Sequence, residues 1–153
     1  MIQVLRTALA VFVLDIATKA LALERLRAFQ PHEVIPGFFS LSLVFNRGAA
    51  FGILPGRACI FMVLAAGTIL AMLIFAWLNK SASVMLTIAL GLVCGGAAGN
   101  LLDRIRFGHV VDFLDFYIGR WHWPAFNVAD SSICIGAGLL ILHSLRGKAS
   151  PKI

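Results

Sequence analysis

Four apolar windows, about 4–23, 58–78, 84–102 and 126–145, each approach the ~20 residues a helix needs to cross a bilayer. Nothing else in the chain narrows its fold so far, because a segment inside lipid must satisfy its backbone polar groups internally. Composition agrees: 60% of the 153 residues are hydrophobic and 13% charged, with mean hydropathy +0.93, far above the roughly 45–50% apolar content of soluble domains. The expectation is an all-α polytopic membrane protein, one domain over 1–153, with four transmembrane helices. An even number of spans puts both termini on one side. All seven acidic residues then fall on the other face, where helices one and three end and two and four begin.

Several function classes are weakly represented. The net charge of +6 is not gathered into a basic patch, so attraction to anionic headgroups explains it better than nucleic acid. Cys59, Cys94 and Cys134 lie in apolar segments without CxxC spacing and read as buried packing residues. His32, His109, His122 and His143 are dispersed, and neither GxSxG nor HExxH occurs, so no metal or cofactor is expected. The first window has the look of a cleaved signal peptide, with Arg6 ahead of it and Ala20-Leu21-Ala22 near its end. Asp15 and Lys19 interrupt it, however. Spaced i, i+4 they share a helix face and can pair inside a bundle, either to fix packing or to touch a site, and the helix is treated as retained.

Between helices one and two, about 24–57, the chain is too polar to span. Phe39-Ser40-Leu41-Ser42-Leu43 alternates at period two after Pro36-Gly37, which predicts a small β-rich platform on the membrane surface. Asn46 in the following Asn46-Arg47-Gly48-Ala49-Ala50-Phe51-Gly52 run is either a turn residue or a hydrogen-bonder to an extended peptide. Helix two, with Phe61, Met62, Phe75 and Trp77, reads as packing and lipid contact throughout. Helix three carries Gly91, Gly95, Gly96 and Gly99, small residues that let membrane helices pack closely. Asn100, Asp103 and Arg104 then form one polar stripe on its last turn.

The stretch from Gly95 to Asp130 holds four of the seven acids, Asp103, Asp112, Asp115 and Asp130. Asp112 has the more apolar neighbours; Asp115, which could share a short interfacial helix with it, reads as the solvated one. Tyr117, Trp121 and Trp123 read as an interfacial aromatic belt. Asn127 and Asp130 open helix four after Pro124, again on one face. Two carboxylates a few ångströms apart cannot both ionise easily, so Asp112 and Asp130 would share a proton, one acting as base toward water and the other as acid. Asn and Arg donors nearby could hold a peptide and stabilise oxyanion charge. The rival readings are a small transporter, which would carry polar residues through the depth of the bundle, and a structural subunit, which leaves the clustered Asn, Asp and Arg without purpose.

Five ordered segments together resemble the bacterial lipoprotein signal peptidases, or signal peptidase II: Asp15 with Lys19, Asn46-Arg47-Gly48-Ala49-Ala50-Phe51, Gly95 through Arg104, Val110-Val111-Asp112-Phe113, and Phe126-Asn127-Val128-Ala129-Asp130. The resemblance implies a membrane aspartic endopeptidase that hydrolyses the bond before the diacylglyceryl-modified cysteine of prolipoproteins. It implies Asp112 and Asp130 as the catalytic pair and Asn46, Asn100, Arg104 and Asn127 as substrate-binding residues. Asp15, Lys19 and Asp103 match supporting polar positions, whereas Asp115 and Gly52 match nothing in the family pattern. It further implies a monomer in the bacterial inner membrane with cytoplasmic termini, an active site and platform at the extracytoplasmic face, contact with membrane lipid, and sensitivity to globomycin. The positive-inside rule does not decide the orientation by itself: Lys19, Arg47 and Arg104 set aside, the basic residues divide equally between the faces.

Overall fold

Glycines at 91, 95, 96 and 99 give α3 (Val84–Phe107) a surface that other backbones can touch, and α3 is the centre of the bundle. The computed structural model describes residues 1–48, 57–79 and 83–148; positions 49–52 of the Asn46–Gly52 run, Lys80 and Lys152 lie outside them. Against one side of α3 packs α1 (Ile2–Arg25), so close that a methyl at Gly95 would stand 2.5 Å from the Ala8 carbonyl oxygen. Against another packs α4 (Val128–Lys148), where Gly96 meets the Ala129 carbonyl and Gly136 meets that of Ala89. The third neighbour, α2 (Ala58–Leu78), buries Ala76 and turns Val63, Leu70 and Trp77 outward.

Three helices, α2, α3 and α4 as far as Arg146, are long and apolar enough to cross a membrane. The fourth, α1, is 24 residues long and carries Arg6, Asp15 and Lys19. With Leu9, Leu70 and Ile141 exposed on the outer faces, the protein is a helical integral membrane protein. Cys94 is buried, but Cys59 and Cys134 are on that outer surface, which corrects the expectation of three protein-buried cysteines. Apolar sequence context predicts burial in protein or in lipid without distinguishing them.

The bundle carries a small antiparallel sheet in the order β1 (His32–Ile35), β2 (Phe39–Asn46), β3 (Val110–Ile118), β4 (Trp121–His122). Phe39 faces Phe116 and Asn46 faces Val110 across β2 and β3. The platform is therefore not confined to the α1–α2 connection, and residues 112–115 lie in a strand, not in the short helix that the spacing of Asp112 and Asp115 allowed. Two local causes explain this. Gly108, at φ +72°, ends α3 with its N–H on the Arg104 carbonyl and turns the chain straight back along β2. The next run, Val110-Val111-Asp112-Phe113, is β-branched and aromatic, suited to a pleated surface. At its other end α3 is capped by Ser83, whose hydroxyl accepts the Leu86 N–H at 3.2 Å.

A substitution at Gly95 tests the packing. Gly95→Val meets the α1 backbone, which cannot swing aside, and should cost about 1–3 kcal/mol. Gly67→Ala on α2, where a methyl meets nothing within 4 Å, should be neutral or stabilising. Thermal unfolding of both variants in detergent compares them.

Candidate active site

A buried lysine holds the polar centre of the bundle together. Lys19, 3% exposed, places its Nζ 2.7 Å from Asp15 Oδ2, 2.9 Å from Asp103 Oδ2 and 3.0 Å from Asn100 Oδ1. Both carboxylates also bind backbone. Asp15 Oδ1 accepts the Ala129 N–H at 2.9 Å in the first turn of α4, and Asp103 Oδ2 accepts the Val111 N–H at 3.1 Å where β3 begins. One ammonium thus ties α1 and α3 to the starts of α4 and β3. Gly99 is what admits Asp15, since a methyl there would collide with its carboxylate.

Three asparagines pass this order on to two aspartates. Asn100 Oδ1 accepts from Lys19, which can only donate, so its Nδ2 points the other way and donates to Asp130 Oδ1 at 2.7 Å. Asn127 caps α4, its Oδ1 accepting the Asp130 N–H at 2.9 Å, which turns its Nδ2 to Asp112 Oδ1 at 2.7 Å. Asn46 Oδ1 accepts the Gly48 N–H at 3.0 Å, which turns its Nδ2 to Asp112 Oδ2 at 3.0 Å. An obligate donor fixes each amide, and each amide presents an N–H to a carboxylate. Asn127 also donates to Asn100 Oδ1 at 3.2 Å, joining the two halves.

Asp112 is 1% exposed on β3. Burial, with the Asp130 carboxylate adding to it, pushes its pKa up to about 7, against the opposing pull of Asn46, Asn127 and Lys19. Near neutral pH the Asp112 carboxyl is therefore poised between its protonated and ionised forms. Arg104 donates Nη1 to the Asn100 carbonyl at 3.2 Å and Nη2 to the Gly48 carbonyl at 3.3 Å, with its guanidinium 5.2 Å from the centre of the Phe61 ring. Two cavities adjoin. One of about 490 Å³ is lined by Asn100, Arg104 and Asp130 together with apolar Phe126 and Ile133; the other, about 510 Å³, is lined by Asp112, Asp115 and His122. Gly48 and the segment 123–125 border both. A protonated and an ionised carboxyl flanking such a space can activate water and protonate a leaving group.

All nine residues singled out from the sequence converge here. Asp112, Asp130, Asn46, Asn100 and Arg104 line the cavities, Asn127 is buried between Asp112 and Asn100, and Asp15, Lys19 and Asp103 lie behind them in contact through Asn100. Lys19 therefore fixes packing and touches the polar site at once. Asp115 departs from expectation: it is 8% exposed, not solvated, because Ser40, Ser42 and His122 enclose its carboxylate. Phe61 does more than pack, and an aromatic in an apolar helix gives no hint that a guanidinium will settle on it. The tryptophans do lie outward, Trp121 60% and Trp123 50% exposed.

Comparison with known proteins points one way. Residues 7–146 match the family described as signal peptidase (SPase) II. The chain is 50% identical over 135 residues to the lipoprotein signal peptidase of Halothermothrix orenii, covering 88% of this chain and 90% of that one. It is 44% identical over 154 residues to that of Syntrophus aciditrophicus, covering 95% and 94%. A bacterial membrane enzyme solved by the in meso method at 2.3 Å resolution superposes with a TM-score of 0.88 at 32% identity, over 97% of this chain and 91% of that one.

Removing the central ammonium should be costly. Lys19→Met strands two buried carboxylates and is expected to lose about 3–5 kcal/mol, seen as a large fall in Tm or in folded yield from detergent.

Proposed function

The chain belongs to the signal peptidase II family, aspartic-type peptidases, and on that premise we propose that it removes signal peptides from prolipoproteins by hydrolysing the bond before the diacylglyceryl-modified cysteine, with Asp112 and Asp130 as the catalytic pair. One observation carries the pairing: two carboxyls from separate elements, β3 and the first turn of α4, are joined by a chain of asparagine amides at adjoining cavities. Asp112, its pKa pushed up to about 7, is the member assigned the proton in this scheme. Asp130 sits at the N-terminal end of α4, where the helix favours negative charge, and takes the part of general base toward water. Asp112 then protonates the departing amine, and the roles reset by proton exchange between the two. Neither a nucleophilic side chain nor an acyl intermediate enters this scheme.

Arg104, Asn46, Asn100 and Asn127 hold the peptide backbone and the developing oxyanion. The apolar side of the Asp130 cavity, at Phe126 and Ile133, suits the lipid-bearing cysteine. Acyl chains kept in the bilayer confine the scissile bond to the membrane surface and pre-orient it, so that binding energy from the lipid goes into positioning. In this reading 1–153 is one monomeric domain that crosses the bacterial inner membrane four times, with α1 as the fourth span. Its termini are cytoplasmic and its sheet lies on the extracytoplasmic surface, in contact with lipid.

Asp112→Asn and Asp130→Asn should each fold and lose about a thousandfold or more in turnover of a diacylglyceryl-modified prolipoprotein; near-normal cleavage by either would remove the pair. The wild type should also lose kcat/KM as pH is raised through about 7, because ionising Asp112 removes the proton the mechanism needs. A rate flat from pH 6 to pH 9 would contradict that assignment.

A further inference from the structure

Asp115 lies three residues beyond Asp112, a spacing that in a regular strand puts two side chains on opposite faces. Here both border one cavity. The pairing is irregular here on both sides of β3: the register with β2 shifts between Leu41 and Val44, and opposite Phe126 the N–H groups of Phe113 and Leu114 both donate to its carbonyl, at 3.0 and 2.9 Å, in a bulge, while Phe126 N–H returns to Leu114 O at 3.0 Å. Two residues of β3 thus oppose one, and Asp115 is brought round beside Asp112.

The Asp115 carboxylate gathers the sheet. It accepts from Ser40 Oγ at 3.3 Å and Ser42 Oγ at 3.1 Å, both on β2, and its Oδ1 lies 2.9 Å from His122 Nδ1 on β4. The imidazole also stacks on Tyr117 at 4.9 Å, and the Tyr117 hydroxyl donates to Glu33 Oε1 on β1 at 2.8 Å. The serines bond the carboxylate, whereas an activated nucleophile would bond the imidazole, so the cluster is not built for serine chemistry.

The segment just after His122 explains the cluster better. β4 has two residues, paired to β3 at Tyr117–His122 and Ile118–Trp121, and Trp123 N–H donates to the Phe116 carbonyl at 2.8 Å; so short an edge gains from a side-chain tie. Directly after it come Trp123, Pro124 and Ala125, which border both cavities, then Phe126 at the bulge and Asn127 on Asp112. A short edge strand therefore carries the wall between the two halves of the site, and the Asp115–His122 contact adds a side-chain tie from that strand to a buried carboxylate. We propose that Asp115 and His122 are a positioning pair that holds the 123–125 wall, so that the peptide is clamped between the Asp130 cavity and the Asp112 cavity. The role rests on the Asp112–Asp130 assignment above. It is carried by binding rather than chemistry, because neither residue contacts the Asp112 or Asp130 carboxyl.

The His122 side chain is half exposed, so its replacement spares the fold, and its effect is modest. With a diacylglyceryl-modified prolipopeptide as substrate, His122→Leu should raise KM about five- to tenfold with kcat within about twofold and Tm near wild type. His122→Asn, whose amide N–H falls near the place of Nδ1, should restore most of the loss, which a general loosening of the sheet would not allow. Wild-type KM in His122→Leu, a fall confined to kcat, or no rescue by His122→Asn would overturn the pair. Asp112→Asn run alongside separates the two ideas: if it is inactive while His122→Leu is normal, the positioning role alone fails, and if it cleaves, the dyad fails and the role falls with it.

Discussion

The structure depends on a lysine enclosed by carboxylates where apolar helices meet. An isolated ammonium in that position would be prohibitive, and its attraction to Asp15 and Asp103 repays the loss of water only because each carboxylate also finds a backbone N–H. Those N–H groups belong to Ala129 and Val111, at the starts of the two elements that bear Asp130 and Asp112. Helix packing and site geometry are therefore one problem. The glycines of α3 bring α1 and α4 near enough for Lys19 and Asp15 to reach, and the ion network then sets where α4 and β3 start.

Asparagine suits the next layer for a reason of charge. Four carboxyls, on Asp15, Asp103, Asp112 and Asp130, face two cations, Lys19 and Arg104. More cations would quench the carboxylate proposed as the base, and more acids would add repulsion between like charges. A neutral amide instead transmits orientation without charge, since one end is claimed by an obligate donor and the other must face an acceptor. A proton on Asp112 brings the imbalance down to a single charge.

The helices and the catalytic candidates are legible in the chain because each rests on a local pattern: long apolar windows, glycine spacing, and ionisable residues whose burial cost demands a reason. Asn127 and Asp130 follow from helix-start chemistry, and Asn100 with Arg104 from helical spacing. The sheet is only half legible. β2 announces itself by alternation, but β3 imitates a helix because Asp112 and Asp115 match i, i+3, and the bulge that reconciles that spacing with a strand depends on Phe126, beyond the strand's own end. Contacts between distant segments leave no trace: Ser40 and Asp115 are 75 residues apart, and Phe61 meets Arg104 from another helix.

A membrane peptidase must bring water to a bond whose lipid end belongs in hydrocarbon. The two cavities divide that conflict. Around Asp130 the lining turns apolar at Phe126 and Ile133, toward the outer face of α4, where Cys134 is exposed. Around Asp112 it is formed by the sheet, with Asp115 and His122 on its rim. In the proposed reaction a bond lying between them would meet an apolar lining on one side and polar groups on the other. In the proposed scheme the base sits at the helix end that favours its charge, while the acid is held on the sheet, 1% exposed. The same irregularity that brings Asp115 alongside Asp112 thus gives that half of the site its polar lining.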